Sequence, residues 1–537
     1  MEAAQLKSTV TPKRCRHAEV RAALLARREI ALLDVREEDP HAQAHPLFAA
    51  NLPLSRLELE VHDKLPRRDV DIVVLDGGEG HADVAAKRLI ELGYTRVAVL
   101  EGGIDGWAED GGELFRDVNA PSKAFGEWVE AHRHTPSVSA EDLLAQIESG
   151  ADILVVDARR FDEYQTMSIP SGTSVPGAEL ALRVPGMVSS PATQVVVNCA
   201  GRTRSIIGAQ SLVNVGLANP VAALRNGTIG WTLAGQALAH GQQKRHETRA
   251  ADGPAPLAGA ARRLADRAGV QRCTSAQVQA WARQDERSTY FFDVRTPEEF
   301  AAGRLPEFRS VPGGQLVQET DMVAPVRGAR IVLTDTDGVR ANMSASWLAQ
   351  MNWEVHVLDG VSAGDFKLKE PPPCSLPPLP DVAVVTPGEL SQWLHAERDV
   401  VVLDFSRAAQ HAQGHIPGAW WVIRSDLAAA LAKLPPASCY VLSSDHGGLL
   451  ARFACADVRR LVDARVLWLE GGNEAWFLGG LAKEPGLRRL ASPLIDRYRR
   501  PYEGTDNPRE AMQAYLDWEF GLVEQLGQDG THGFKVL

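Results

Sequence analysis

Cys199 stands in the run N-C-A-G-R-T-R-S, residues 198–205, directly after the apolar stretch QVVV and directly before a stretch with helical spacing, IIGAQSLV. A cysteine at a strand-to-helix junction faces unpaired backbone N–H groups and the positive end of the helix dipole, and both stabilise a thiolate. Gly201 lets the backbone curl closely around the sulfur, while Arg202 and Arg204 add positive charge. The Cys199 thiol is therefore expected below its ordinary pKa, with an anionic substrate drawn to it. A cysteine is by default a small buried hydrophobe, but a place between an asparagine and a glycine/arginine loop is a poor apolar core position.

Holding such a loop takes a strand before it and a helix after it, and this arrangement recurs four times along the chain. A short apolar strand ending in an acid appears as ALLDVR, ILVVDAR, YFFDVR and VVVLDFS, with Asp34, Asp157, Asp293 and Asp404 at comparable places. A second strand opens into a loop and a helical stretch at Asp76, Cys199, Asp335 and Ser444. A third runs into a glycine turn and an aromatic at Trp107, Trp231, Phe366 and Trp476. Successive acids lie 123, 136 and 111 residues apart and successive loop positions 123, 136 and 109, so two independent landmarks give one period. Short strands alternating with helical patterns predict parallel sheets flanked by helices, the α/β class, with the loops at the carboxyl ends of strands.

The four units span 10–120, 135–240, 270–368 and 382–485, with a polar linker at 241–259 and a proline-rich spacer at 369–380. Residues 486–537 form a C-terminal helical extension. There Asn507 and Pro508 start a helix whose Met512, Tyr515, Leu516, Phe520, Val523 and Leu526 keep an apolar spacing, suited to docking on the body or on a partner.

A chain of 537 residues is long enough for several domains. Its 57 basic against 69 acidic side chains give a net charge of −12, which disfavours a nucleic-acid partner. Six cysteines without a C-x-x-C pair make neither a disulfide framework nor a zinc module. The absence of a signal-like segment and of a long apolar run leads to the expectation of a cytoplasmic, non-membrane protein. His81 and His446 lack a second ligand at suitable spacing and read as exposed loop residues. Cys15, Cys273, Cys374, Cys439 and Cys455 lack an electropositive loop. Asp157 and Arg159 read as a pair fixing the backbone beside the loop, and Trp231 as a pocket wall or a packing residue.

The D-x-R opening with its following acid and aromatic (Asp157, Arg159, Glu163, Tyr164; Asp293, Arg295, Glu299, Phe300), the H-I-P-G-A segment at 415–419 and the C-A-G-R-T-R loop resemble the rhodanese family over about residues 10–485. The resemblance implies four tandem rhodanese-like three-layer α/β domains, of which only the second, with Cys199, is catalytic. It implies sulfur transfer: the thiolate takes the outer sulfur of thiosulfate or a related small anionic donor, and the persulfide passes it to a thiol or cyanide. In that scheme Cys199 is the nucleophile, and Ala200, Gly201, Arg202, Thr203 and Arg204 bind the substrate, with Trp231 as a wall. Backbone N–H groups cradle the sulfur, the two arginines hold the leaving anion, and no metal or organic cofactor is required. A loop for 3-mercaptopyruvate resembles C-G-S/T-G-V-T and differs from this one. Phosphatases and arsenate reductases of this fold place an arginine six positions after the cysteine; here that position is Ser205, and Arg204 is one earlier. The alternative from another class is a non-catalytic scaffold or sulfur carrier. Asp76, Asp335 and Ser444 cannot form a persulfide, so their units are expected to cover and shape the site in the second.

Overall fold

In the computed structural model, which describes residues 11–246, 255–284, 286–372 and 375–537, the recurring apolar runs become the central strands of four sheets. Cys374 and much of the 241–259 linker lie outside the described residues. The second sheet shows the pattern. Ser137–Val138, Val221–Leu224, Gln194–Asn198, Ile153–Asp157 and Thr173–Ser174 lie side by side in that order, all parallel. In chain order this is first, fifth, fourth, second, third, and the other three units repeat it. β-Branched residues dominate these strands because both faces are covered. Val195 and Val197 pack into one helical layer and Val196 into the other, the two-residue alternation of a strand between two cores.

The units are joined through side chains as well as linkers. Val326 and Arg327, from the third unit, pair antiparallel with Ala31 and Ile30 and extend the first sheet. The first and fourth units meet where the buried Arg424 guanidinium donates to Glu58 (2.5 and 2.9 Å) and Asp457 (2.7 Å). The second and third meet where Arg340 donates to Glu179 (2.7 Å). Two helices outside the repeats, Ala120–Arg133 and Ala255–Arg267, pack on the loop helices Thr203–Val215 and Arg340–Gln350 respectively.

The C-terminal helix forms over Arg509–Asp529, after Pro508, and docks on Ala120–Arg133. Its buried face differs from the expected one. Met512, Tyr515, Leu516, Leu522 and Leu526 are buried, but Phe520 is 54% exposed and Glu519 is fully buried in its stead. Phe520 lies at the edge of the contact, where the Arg202 guanidinium stacks on its ring at 4.3 Å. No helix among the described residues is long and apolar enough to cross a membrane.

Candidate active site

Strand Gln194–Asn198 delivers Cys199 to the carboxyl edge of the second sheet, next to strand Ile153–Asp157, with Asn198 in register with Asp157. Asp157 accepts from Arg159 Nε (2.9 Å) and Nη2 (2.8 Å) and from Asn198 Nδ2 (2.8 Å), while Arg159 Nη2 also donates to the Met167 carbonyl (2.6 Å). Both residues are 1% exposed. The same lock closes in two units whose loop lacks the cysteine, Arg36 on Asp34 and Arg295 on Asp293. In the fourth, Ser406 and His411 supply the donors to Asp404. A motif present with and without the nucleophile serves the frame.

The loop folds around its first side chain. In the first and third units an Asp carboxylate takes the first position and accepts the backbone N–H six residues on: Asp76 from Ala82 (2.9 Å) and Asp335 from Ala341 (2.8 Å). In the second unit the Cys199 sulfur holds this place. Its thiol donates to the Ser205 hydroxyl oxygen (3.5 Å), and the Ser205 N–H faces it as well. The cradle thus holds a carboxyl group in two of the four loops and the cysteine sulfur in a third. In the fourth, Ser444 accepts from Ala451, seven residues on, at 3.3 Å, so that loop is one residue longer. The next turn locks the Cys199 loop from behind. Thr228 N–H donates to the Cys199 carbonyl (2.9 Å) and Ile229 N–H to the Ala200 carbonyl (3.0 Å). Gly227, at φ +55°, allows that approach: a Cβ there would sit 2.4 Å from the Cys199 carbonyl oxygen. Thr203 starts the following helix and packs against Gly126 of helix Ala120–Arg133.

The two arginines have different surroundings from those expected. Arg202 points into helix Ala120–Arg133, donating through Nε and Nη2 to Glu127 (2.7 and 2.8 Å) and through Nη2 to Glu130 (2.5 Å). Its guanidinium is engaged by two acids before any leaving anion arrives. Arg204 makes a bidentate pair with Glu163, 2.8 Å on each arm, and lines a polar cleft. Burial opposes the Glu163 charge, but Arg204 outweighs it and holds the carboxyl at about 2. Arg340 and Glu299 form the matching pair in the third unit.

Nor is the thiol depressed. Cys199 is 2% exposed, and burial pushes its pKa up, a rise that Glu519 adds to and that Arg204 and Ser205 only partly offset. Sequence reasoning counted the local charges and missed the cover that excludes water. Trp231 is a packing residue rather than a pocket wall: it is 1% exposed, sits in the core with Val138 and Leu143, and donates through Nε1 to the Ala237 carbonyl (2.9 Å). Trp107 and Trp476 make the same bond six residues on, to Glu113 and Ala482. His446 is exposed and His81 half-buried; Cys273, Cys439 and Cys455 are buried and Cys15 half-buried. No group of three or more His, Cys, Asp or Glu among the described residues is arranged to hold a metal.

The cover comes from the C-terminal extension and helix Ala120–Arg133, and no local motif announced it. A Cβ on Gly201 would lie 3.1 Å from the Tyr515 ring and 3.2 Å from Glu519 Oε2. Lys123, buried beneath Tyr502, Tyr515 and Trp518, pairs with Asp117 at 2.8 Å. Two clefts flank the loop, sharing Met167, Tyr502 and Gly504. One, of about 370 Å³, is lined by Arg204, Glu163 and Arg500, with Glu38 from the first unit and Gln318 from the third. The other, of about 160 Å³, is lined by Thr228, Ile229 and Met512.

A family model described as a rhodanese-like domain matches residues 17–110, 139–234, 276–362 and 386–478. A solved structure of thiosulfate sulfurtransferase from Pseudomonas aeruginosa is 62% identical, covering 98% of this chain and 100% of its own, with a TM-score of 0.96. The BH2092 protein from Bacillus halodurans is 24% identical over 21% of this chain and 85% of its own, with a TM-score of 0.18. No curated protein sequence matches the chain.

Proposed function

This chain belongs to the rhodanese-like domain family, and from that premise we propose that it is a sulfurtransferase working through a persulfide on Cys199. One observation carries the assignment to this residue: the sulfur occupies a cradle whose counterparts hold the carboxyl groups of Asp76 and Asp335, so the loop turns backbone N–H donors to its first side chain and only here is that side chain a nucleophile.

The Cys199 thiolate attacks the outer sulfur of thiosulfate. A new S–S bond forms, the old one breaks, and its electron pair leaves on sulfite. An acceptor thiolate or cyanide then attacks the outer sulfur of the persulfide, and the electron pair of the breaking bond returns to Cys199. Backbone N–H groups of residues 200–204 stabilise the charge on the terminal sulfur, as preorganised donors do in a site closed to water. Arg204, held by Glu163 at the rim of the larger cleft, gives the small anionic donor a positive edge to approach. Arg202 anchors the loop to helix Ala120–Arg133. Asp157 and Arg159 act through the backbone they brace.

The test is thiocyanate formation from thiosulfate and cyanide by the wild type and Cys199→Ser, with intact-protein mass taken after thiosulfate alone. Turnover and one added sulfur, both lost in the variant, are expected. Folded wild type that gains no sulfur from thiosulfate or from organic persulfides would overturn the reading in favour of a scaffold.

A further inference from the structure

The C-terminal helix Arg509–Asp529 lies beyond the last segment matching the family model, which ends at residue 478, yet it brings an acid to the active loop. Glu519 is 0% exposed. Its Oε1 accepts from the Tyr515 hydroxyl at 2.8 Å, whereas its Oε2 is buried with no hydrogen-bond partner and lies 3.2 Å from the position of a Cβ on Gly201. A buried ionised carboxylate requires donors on both oxygens or a cation of its own. The nearby cations are already engaged: Lys123 by Asp117, and Arg202 by Glu127 and Glu130. The remaining groups at Glu519 are Glu127 on the neighbouring helix and Tyr515 on its own, and its charge reaches Cys199, two residues before Gly201 on the loop. A second negative charge in this dry site repels the first.

We propose that Cys199 and Glu519 carry at most one negative charge between them: Glu519 keeps its proton while the sulfur is anionic, and its free Oε2–H is the donor turned to the loop at Gly201. Glu519 is a positioning residue, setting the charge state of the nucleophile through space. Only its consequence for sulfur loading rests on the sulfur-transfer reading; the shared charge does not. Burial and the neighbouring Glu127 push the Glu519 carboxyl up to about 8, and its charge in turn raises the Cys199 thiol.

The experiment is a pH titration of the ultraviolet thiolate absorbance of the full chain without donor, taken as a difference against Cys199→Ser in each background. Glu519→Gln keeps the shape and an N–H donor but cannot ionise. The Cys199 midpoint is expected to fall by about one pH unit, a roughly tenfold larger thiolate fraction below it. An unchanged or higher midpoint in folded protein overturns the proposal. If Glu519→Gln does not fold, Tyr515→Phe serves: losing the donor that favours the ionised carboxylate keeps Glu519 protonated to higher pH, so the Cys199 midpoint falls, and no movement overturns the proposal. With thiosulfate added, the loading rate should flatten above pH about 8 in the wild type and keep rising in Glu519→Gln. A titration that shifts in a chain that never gains sulfur refutes the sulfur-transfer reading and leaves the shared charge standing.

Discussion

Gly227→Ala separates the geometry of the loop from the stability of the unit that holds it. The added Cβ would stand 2.4 Å from the Cys199 carbonyl oxygen and 2.7 Å from that of Gly201. Ordinary contact begins at 3.4 Å, so the backbone carrying the nucleophile must retreat by about 1 Å. That motion strains the bonds from Thr228 N–H to Cys199 and from Ile229 N–H to Ala200, each worth about 1 kcal/mol. A misplacement of this size at a reacting atom costs about 100-fold in rate. Positive φ adds about 1 kcal/mol of strain for any residue with a Cβ. Gly216→Ala is the control: it closes helix Thr203–Val215 at φ +86° with nothing within 4 Å of the new Cβ, so it bears the strain without the collision. Both variants should melt earlier than the wild type, and only Gly227→Ala should lose sulfur loading, followed by intact mass against time after thiosulfate. Wild-type loading by Gly227→Ala, or an equal loss in Gly216→Ala, would refute the claim that the second turn sets the sulfur's position.

Arg204→Gln should remove up to about 3 kcal/mol of stability at pH 7, since a carboxyl held at about 2 rather than 4.5 is worth ~1.4 kcal/mol per pH unit of difference. The Glu163 pKa is depressed by folding, so its contribution is present above the unfolded value and is lost as pH falls towards 2. The gap between wild type and variant in urea unfolding should therefore shrink to less than half by pH 3. Trp231→Phe should cost about 1 kcal/mol through the lost bond to Ala237 and load sulfur at the wild-type rate; a raised KM for thiosulfate would restore the tryptophan as a pocket wall. Asp335→Cys in a Cys199→Ser background should gain no sulfur by intact mass. Its cradle is the same, but Asp337 stands where the active loop has Gly201, and the neighbouring carboxylate already pushes Asp335 itself up to about 8 on top of burial.

What the sequence conveyed and what it withheld divide along the distance between partners. The fourfold α/β plan was legible because strand, loop and turn recur as local patterns, and a parallel sheet needs only their order. The nucleophile was legible for the same reason: Cys199, Gly201 and the helix start lie within a few residues of each other. The partners of Arg202 were not legible because its acids come from 72 and 75 residues earlier, on a helix that no landmark of the repeat contains. The direction of the Cys199 pKa was misread because desolvation depends on what covers a group, and the cover comes from the far end of the chain. Glu519 is an acid on a face that is otherwise apolar. An apolar pattern detects a buried helix face by its hydrophobic residues, so it passed over the buried acid and chose its exposed neighbour Phe520. The polar residues that an apolar pattern misses are the ones that remote chain must satisfy, and a buried group left half-satisfied, as Glu519 is at Oε2, marks where such a site still has chemistry to be assigned.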